Sequence, residues 1–208
     1  MRIYWLLLFG LVYAVPLHAQ TTFGVVAGLN FEQMRDIQIE HVESTYANST
    51  GYHAGAFVDF AAKKLALRLA VLYVNAGPLF KGAPYLITAQ LPDSFNVQFL
   101  TVPVDLRMRT SWPVVKPYLF GGPEFRFHIE GEEPEELKDD LTQLLVVGNI
   151  GFGIQIDIPL LGIKLFPEFR YSFAVSGITQ QEIDIEDSVY AVEKQRFKSY
   201  MLRVGLAF

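Results

Sequence analysis

The sequence predicts an all-β protein, an eight-stranded antiparallel up-and-down transmembrane β-barrel with long external loops and short periplasmic turns. Three observations predict this fold. Apolar and polar side chains alternate with a period of two along most of the chain after residue 20. The alternating segments number eight, and the connections between them are long and short in strict turn.

Composition excludes several other classes of protein. The 208 residues are 51% hydrophobic and 19% charged, which is too apolar for a disordered chain. The absence of cysteine excludes a disulfide framework, a zinc-thiolate site and a thiol nucleophile. A net charge of −5 argues against nucleic-acid binding.

The N-terminus is typical of a secretory signal peptide. Arg2 precedes an apolar run from Ile3 to Val15, and the small residue Ala19 follows as a cleavage site. The run is shorter than the roughly 20 residues that a membrane-spanning helix needs. We therefore expect two segments, a signal peptide at 1–19 and an outer-membrane β-barrel domain at 20–208.

Alternation places the strands in order. The clearest segment is 64–75, where Leu65, Leu67, Leu69 and Val71 alternate with small or polar residues, and the last strand, 197–208, behaves likewise. The full set of predicted strands is 22–34, 51–61, 64–75, 95–110, 116–129, 144–158, 163–177 and 197–208. The connections at 35–50, 76–94, 130–143 and 178–196 are long, and those at 62–63, 111–115 and 159–162 are short.

Alternation alone does not say which face meets lipid, because a soluble lipocalin-type barrel would turn its apolar row inward. The polar row favours the membrane barrel, since its charges are of both signs and glycines leave room for them in a narrow lumen. The charged members are Glu32, Asp59, Arg68, Asp105, Arg107, Arg109, Arg126, Glu168, Arg170 and Arg203, and the glycines are Gly24, Gly28, Gly55, Gly151, Gly153 and Gly205.

The apolar row also favours a membrane barrel. It carries aromatic residues near strand ends, where amphipathic rings lie at the membrane interfaces: Tyr52, Phe60, Tyr73, Tyr171, Phe173, Tyr200 and Phe208. The terminal Phe208 of an alternating strand resembles the signal that the barrel-assembly machinery reads.

Eight strands enclose a bore that side chains fill, so we expect a plugged barrel and not an open pore. The candidates for the plug are Arg68, Arg107, Arg126, Arg170 and Arg203, opposite Glu32, Asp59, Asp105 and Glu168. Each charge must be paired, because an unpaired buried charge costs several kcal/mol.

Two positions break the strand pattern. Around residues 120–124 a bulge is expected, which would turn Tyr118, Phe120, Phe125 and Phe127 all toward lipid. Pro103 cannot donate to the ladder, so a bulge or kink is expected there as well.

Several segments, taken in order, resemble the PorT-like outer-membrane barrel family. They are 23–31 (FGVVAGLNF), 99–104 (FLTVPV), 116–124 (KPYLFGGPE), 167–173 (PEFRYSF) and the closing strand. The resemblance implies an eight-stranded outer-membrane barrel without catalytic residues. One member of that family is an accessory of the type IX secretion system.

Catalytic and metal-binding chemistry is the less favoured interpretation. His128, near Glu130, is the best candidate base for a lipid-A-modifying enzyme, with Ser172 or Ser176 as its hydroxyl partner. The acidic runs at 130–140 and 184–187 lack the ligand spacing of a calcium loop. No HExxH, phosphate-loop, GxSxG or dinucleotide motif is present, so we expect no catalytic, cofactor-binding or metal-binding residues.

The preferred hypothesis is therefore a non-enzymatic outer-membrane barrel that binds or adheres through its long loops. The alternatives are an accessory of a protein secretion system, a lipid-A-modifying enzyme and a soluble periplasmic lipid carrier. The expected partners are outer-membrane lipids, the barrel-assembly machinery during biogenesis, and secretion or surface partners, with no nucleic acid and no cofactor.

Overall fold

Strands make up nearly all the regular structure of this computed structural model, which describes residues 20–34, 37–39, 42–44, 49–77, 96–129, 144–175, 183–185, 188–190 and 197–208. The strands are β1 (Gln20–Met34), β2 (Ile37–Ile39), β3 (Val42–Ser44), β4 (Ser49–Ala62), β5 (Leu65–Asn75), β6 (Gln98–Arg109), β7 (Val115–Ile129), β8 (Leu144–Ile158), β9 (Ile163–Ala174), β10 (Ile183–Ile185), β11 (Ser188–Tyr190) and β12 (Phe197–Ala207). Within these ranges there is no helix long and apolar enough to cross a bilayer. The predicted signal peptide at 1–19 lies outside the described residues.

Eight of these strands close into one antiparallel barrel, in the order β1, β12, β9, β8, β7, β6, β5 and β4. Each of the eight predicted strands corresponds to one of them, with ends that differ by three residues at most. The pairs β2 with β3 and β10 with β11 form two small hairpins within connections predicted as loops. The predicted fold is confirmed.

The register of the strands fixes the shape of the barrel. Starting from Thr22 on β1, the register passes through all the other strands and returns to β1 at Glu32, ten residues further along. Eight strands with a shear of ten are tilted by roughly 40° from the barrel axis. Closure leaves no free sheet edge, as a sheet in lipid requires.

The apolar row faces outward and the charged row faces inward, as expected for a membrane barrel. On β5, Leu65 and Val71 are about half exposed whereas Arg68 between them is 2% exposed. All seven predicted interface aromatics point outward, and Tyr171 packs on Tyr200 with ring centroids 5.2 Å apart. The lipocalin-type arrangement is therefore wrong.

The two predicted bulges are absent. Pro103 lies opposite Glu124 and Leu106 lies opposite Gly121, so β6 and β7 keep one register across both predicted positions. Strand β7 also pairs with β8 without interruption from Val115 to Phe127. Neither strand has the extra residue that a bulge requires.

Strict alternation therefore continues through β7, and it corrects the expected direction of two rings. Phe125 and Phe127 face lipid as predicted, but Tyr118 and Phe120 are 4% and 6% exposed and point into the lumen. The physical reason is space, because inward-facing glycines on β8 lie beside both rings. The rings fill volume that the glycines leave empty.

Candidate functional site

Among the residues that the structure describes, ten buried charged side chains lie in the lumen, and they are called here the lumen charge cluster. Five are basic and five are acidic, so the formal charge of the cluster is zero. Its members are Glu32, Asp59, Arg68, Asp105, Arg107, Glu124, Arg126, Glu168, Arg170 and Arg203, and all are buried.

Glu168 on β9 is the central acceptor of the cluster. Its Oε1 accepts hydrogen bonds from Arg68 Nη1 at 2.8 Å and from Arg107 Nη2 at 2.9 Å, and its Oε2 accepts one from Arg203 Nε at 2.5 Å. The Tyr118 hydroxyl also donates to Oε1, at 2.5 Å. One carboxylate therefore joins side chains from four other strands.

Asp59 on β4 completes the periplasmic half of the cluster. Arg68 donates to it in a bidentate pair, from Nε at 2.6 Å and from Nη2 at 2.7 Å. Arg107 Nη1 donates to the same carboxylate at 2.9 Å. Paired, planar contacts of this kind are the strongest that arginine makes with a carboxylate.

The external half of the cluster is organised by Arg170 on β9. Its Nη2 donates to Asp105 and its Nη1 donates to Glu124 at 2.9 Å. Glu124 also accepts a hydrogen bond from Arg126 Nε at 2.7 Å. Arg203 lies 3.6 Å from Asp105 and so links the two halves.

Aromatic rings fill the space between the charges in the periplasmic half. The guanidinium of Arg68 lies 3.6 Å from the ring centroid of Phe57 and 4.7 Å from that of Phe166, and that of Arg107 lies 3.9 Å from that of Tyr118. Such cation–π contacts stabilise a desolvated cation by up to about 2 kcal/mol. Charges and rings together block the bore.

The predicted charge pairing is confirmed, with one addition and one exclusion. Glu124 is a fifth acid that was not predicted, because it lies in the segment 120–124 where the alternation was expected to break. Arg109 lies outside the cluster, at the periplasmic end, where it donates to Gln155 Oε1 at 3.2 Å. Glu124 lies two residues before Arg126 on the same strand, so strict alternation would have placed both side chains in the lumen.

Uncharged polar side chains also face the external half of the lumen. Within the described part of the chain, the side-chain polar atoms of His53, Thr101, Asn149 and Ser172 are buried and have no hydrogen-bond partner. Groups of this kind are ordinarily hydrated when a protein partner is lacking. The external half of the lumen therefore combines these polar groups with buried apolar side chains such as Phe99.

The structure separates the candidate catalytic residues. His128 lies opposite Phe99, whereas Ser172 lies opposite Asn149, which in turn lies opposite Gly122. Six residues along β7 separate Gly122 from His128, or about 20 Å. Ser172 is therefore out of hydrogen-bond reach of His128, and Glu130 and Ser176 lie outside the described residues.

A metal site finds no support in the described ranges, which contain no group of three histidine or acidic side chains arranged to hold an ion. The acidic runs at 130–140 and at 186–187 lie outside them, and of Asp184 the structure describes the backbone alone.

Comparisons with known proteins agree with this architecture. Neisserial surface protein A has a solved structure with a TM-score of 0.51 and 14% identity, covering 91% of this chain and 99% of that one. A major outer membrane protein of Thermus thermophilus gives a TM-score of 0.50 and 18% identity, covering 90% and 98%. No curated protein matches the sequence.

The match to a family model assigns the chain to a protein family, which these distant structural similarities cannot do. The model described as "Outer membrane protein beta-barrel domain" matches residues 18–180, which is most of the chain. Its match covers seven of the eight barrel strands found in the structure. The chain therefore belongs to the outer membrane protein beta-barrel domain family and is a protein of the cell outer membrane.

Proposed function

We propose that this protein is a non-enzymatic surface-binding barrel, in which the long external connections bind a partner and the filled barrel holds them in the membrane. The observation that carries the proposal is the asymmetry between the two ends. The periplasmic connections of the barrel, 63–64, 110–114 and 159–162, are short, whereas the external ones are 14 to 22 residues long. Long connections at one end of a rigid scaffold are where binding residues concentrate.

The charge of the external connections indicates the chemistry of the partner. In sequence, the segments 35–48, 78–95, 130–143 and 176–196 carry 16 acidic residues against 5 basic ones. Such an excess attracts positively charged molecules and repels anionic ones. We therefore propose a basic partner, such as a lysine-rich protein surface.

The filled lumen supports binding over transport. The periplasmic half of the bore contains charged groups paired with one another and rings packed between them, so a solute has no open path. A binding function needs no such path. The secretion and lipid-A hypotheses, and the closer resemblance to PorT-like barrels, stay alternatives that the same experiment separates.

The test compares cells that lack the gene with cells that express the wild type or the variant E132Q/E133Q/E135Q/E136Q. Binding of a fluorescent lysine-rich peptide is measured at physiological salt, together with the lipid A mass spectrum and the amount of secreted protein. We expect the variant to bind the peptide about tenfold more weakly, because four acidic side chains of one segment are neutralised.

The matched control is K63N/K64Q, which changes charge at the periplasmic end and should leave peptide binding unchanged. Equal binding by wild type and the four-glutamine variant would overturn the proposal. Loss of secretion in the deletion strain would favour the accessory role, and an altered lipid A spectrum would favour the enzyme.

A further inference from the structure

A groove of about 650 Å³ opens at the periplasmic end of the barrel, between the β4–β5 turn and the connection from β6 to β7. Lys63, Lys64, Arg109 and Lys116 line it, together with the hydroxyl residues Thr110 and Ser111 and some apolar side chains. We call it the rim groove. None of its lining residues belongs to the lumen charge cluster or to the external connections discussed above.

Most of the positive charge in the rim groove is not neutralised by the protein. Lys116 Nζ pairs with Asp157 beside the groove. Arg109 donates to the neutral amide of Gln155 and so keeps its charge uncompensated. Lys63 and Lys64 are exposed. The groove therefore attracts an anion.

Backbone contacts hold these cations beside one another. The Arg109 backbone N–H donates to the Lys64 carbonyl at 2.8 Å, and Arg109 Nε donates to the Lys63 carbonyl at 3.1 Å. Lys63 itself has a φ of 53°, in the left-handed region that a tight turn requires. The groove is thus built by the turn and by Arg109 together.

An apolar surface continues from the groove into the membrane. Leu65 pairs with Met108 and Leu67 pairs with Leu106 on adjacent strands, and all four side chains face lipid. Trp112, in the connection beside the groove, is 60% exposed. A tryptophan in this position is typical of the headgroup level of a bilayer.

We propose that the rim groove binds an anionic phospholipid of the periplasmic leaflet. Its phosphate is held by Lys63, Lys64 and Arg109, and its acyl chains lie along the strip of β5 and β6 that begins at Leu65 and Met108. The pairing of an anion site with an apolar strip favours a lipid over a free anion, since a free anion would gain nothing from the strip.

The test uses the mature chain, 20–208, folded in detergent and titrated with dioleoyl-phosphatidylglycerol or dioleoyl-phosphatidylcholine. Native mass spectrometry measures retained lipid. We expect the wild type to retain one phosphatidylglycerol in preference to phosphatidylcholine. The variant K63N/K64Q should retain it about thirtyfold more weakly, from the loss of two lysines near an anionic headgroup. Asparagine is chosen at position 63 because it tolerates a positive φ.

The charge-matched control is K164Q/K198Q, which removes two lysines outside the groove and should retain the lipid as the wild type does. Heat-modified migration on gels checks that each variant is folded. Retention that is equal for the two lipids, or equal in wild type and K63N/K64Q, would overturn the proposal. Displacement of the lipid by millimolar inorganic phosphate would also overturn it, because it would reveal a simple anion site.

Discussion

Glu168 illustrates how individual residues stabilise the lumen. Its carboxylate accepts hydrogen bonds from three arginines and one tyrosine and is almost fully buried. Burying a charge is costly unless opposite charges and hydrogen bonds compensate for it. Removing this one acid would leave four remaining acids among five buried arginines.

We predict that Glu168→Gln lowers the free energy of unfolding by about 3 to 5 kcal/mol, the usual cost of breaking a buried ion pair. The measurement is urea-induced unfolding in lipid vesicles, followed by tryptophan fluorescence.

Asp157→Asn is the control for this prediction. Asp157 is half-buried and pairs with Lys116 near the rim, so its loss should cost less than about 1 kcal/mol. Equal effects of the two substitutions would contradict the role assigned to Glu168.

The sequence predicted which charged residues face the lumen, but it did not predict which of them form hydrogen bonds with one another. Alternation identified nine of the ten members of the lumen charge cluster, because a charged residue in a membrane barrel strand has to face inward. It did not identify which arginine bonds which acid. Those partners depend on the stagger between strands, and Arg68 and Glu168 are 100 residues apart in the chain.

Strands β7 and β8 show how large rings fit inside the narrow barrel. Tyr118 lies opposite Gly153 and Phe120 lies opposite Gly151, so each inward ring has a glycine beside it. A Cβ on Gly153 would lie 2.6 Å from Tyr118 Cζ and 2.9 Å from Glu168 Cγ. The glycine thus makes room for both the ring and the central carboxylate.

We predict that Gly153→Ala destabilises the barrel by about 1 to 3 kcal/mol, because the extra methyl group displaces Tyr118 from Glu168. Gly205→Ala is the matched control. Its Cβ would have its nearest neighbours at 3.3 Å, so its effect should be smaller. Unfolding by urea in vesicles would check both, and a larger effect at position 205 would contradict this view of the packing.

The side-chain direction of two rings on β7 was predicted wrongly for an identifiable reason. Tyr118 and Phe120 were assumed to need lipid, since aromatic residues usually lie on the outer face of such a strand. The structure places them inside, where glycines of β8 and guanidinium groups receive them. Pairing inward glycines with inward aromatics across neighbouring strands would have predicted this without a bulge.

The molecule as a whole is a closed cylinder with a neutral, filled interior and two ends of different charge. Eight strands at a shear of ten leave little more than the volume of the side chains that point inward. The barrel and its orientation could be predicted from the period of two and from the alternating lengths of the connections. The binding partner could not be predicted, because loop segments that bind a partner need not follow any regular alternation of apolar and polar residues.

We predict that the barrel, residues 20–208, forms no stable open channel in a planar bilayer, because rings and paired charges fill the periplasmic half of its lumen. Single-channel recording in about 1 M KCl, where exposed charges are largely screened, checks this. The triple variant with Phe57, Tyr118 and Phe166 changed to alanine removes three rings that lie against Arg68 and Arg107, and it should conduct more than the wild type. Porin-sized steps from the wild type would refute the prediction.

Residues that pair in the lumen charge cluster are far apart in the chain, and this separation affects how the protein inserts into the membrane. Arg68 and Arg107 reach the membrane on β5 and β6, but Glu168 arrives only with β9, and β12 must still follow to pair with β1. Until then Arg68 and Arg107 share the one carboxylate of Asp59 on β4, and this charged face must stay in contact with water, because lipid cannot solvate it. Insertion strand by strand through bare lipid would therefore be blocked at an early stage. We therefore expect the lumen-facing side of the growing sheet to stay hydrated until the barrel closes.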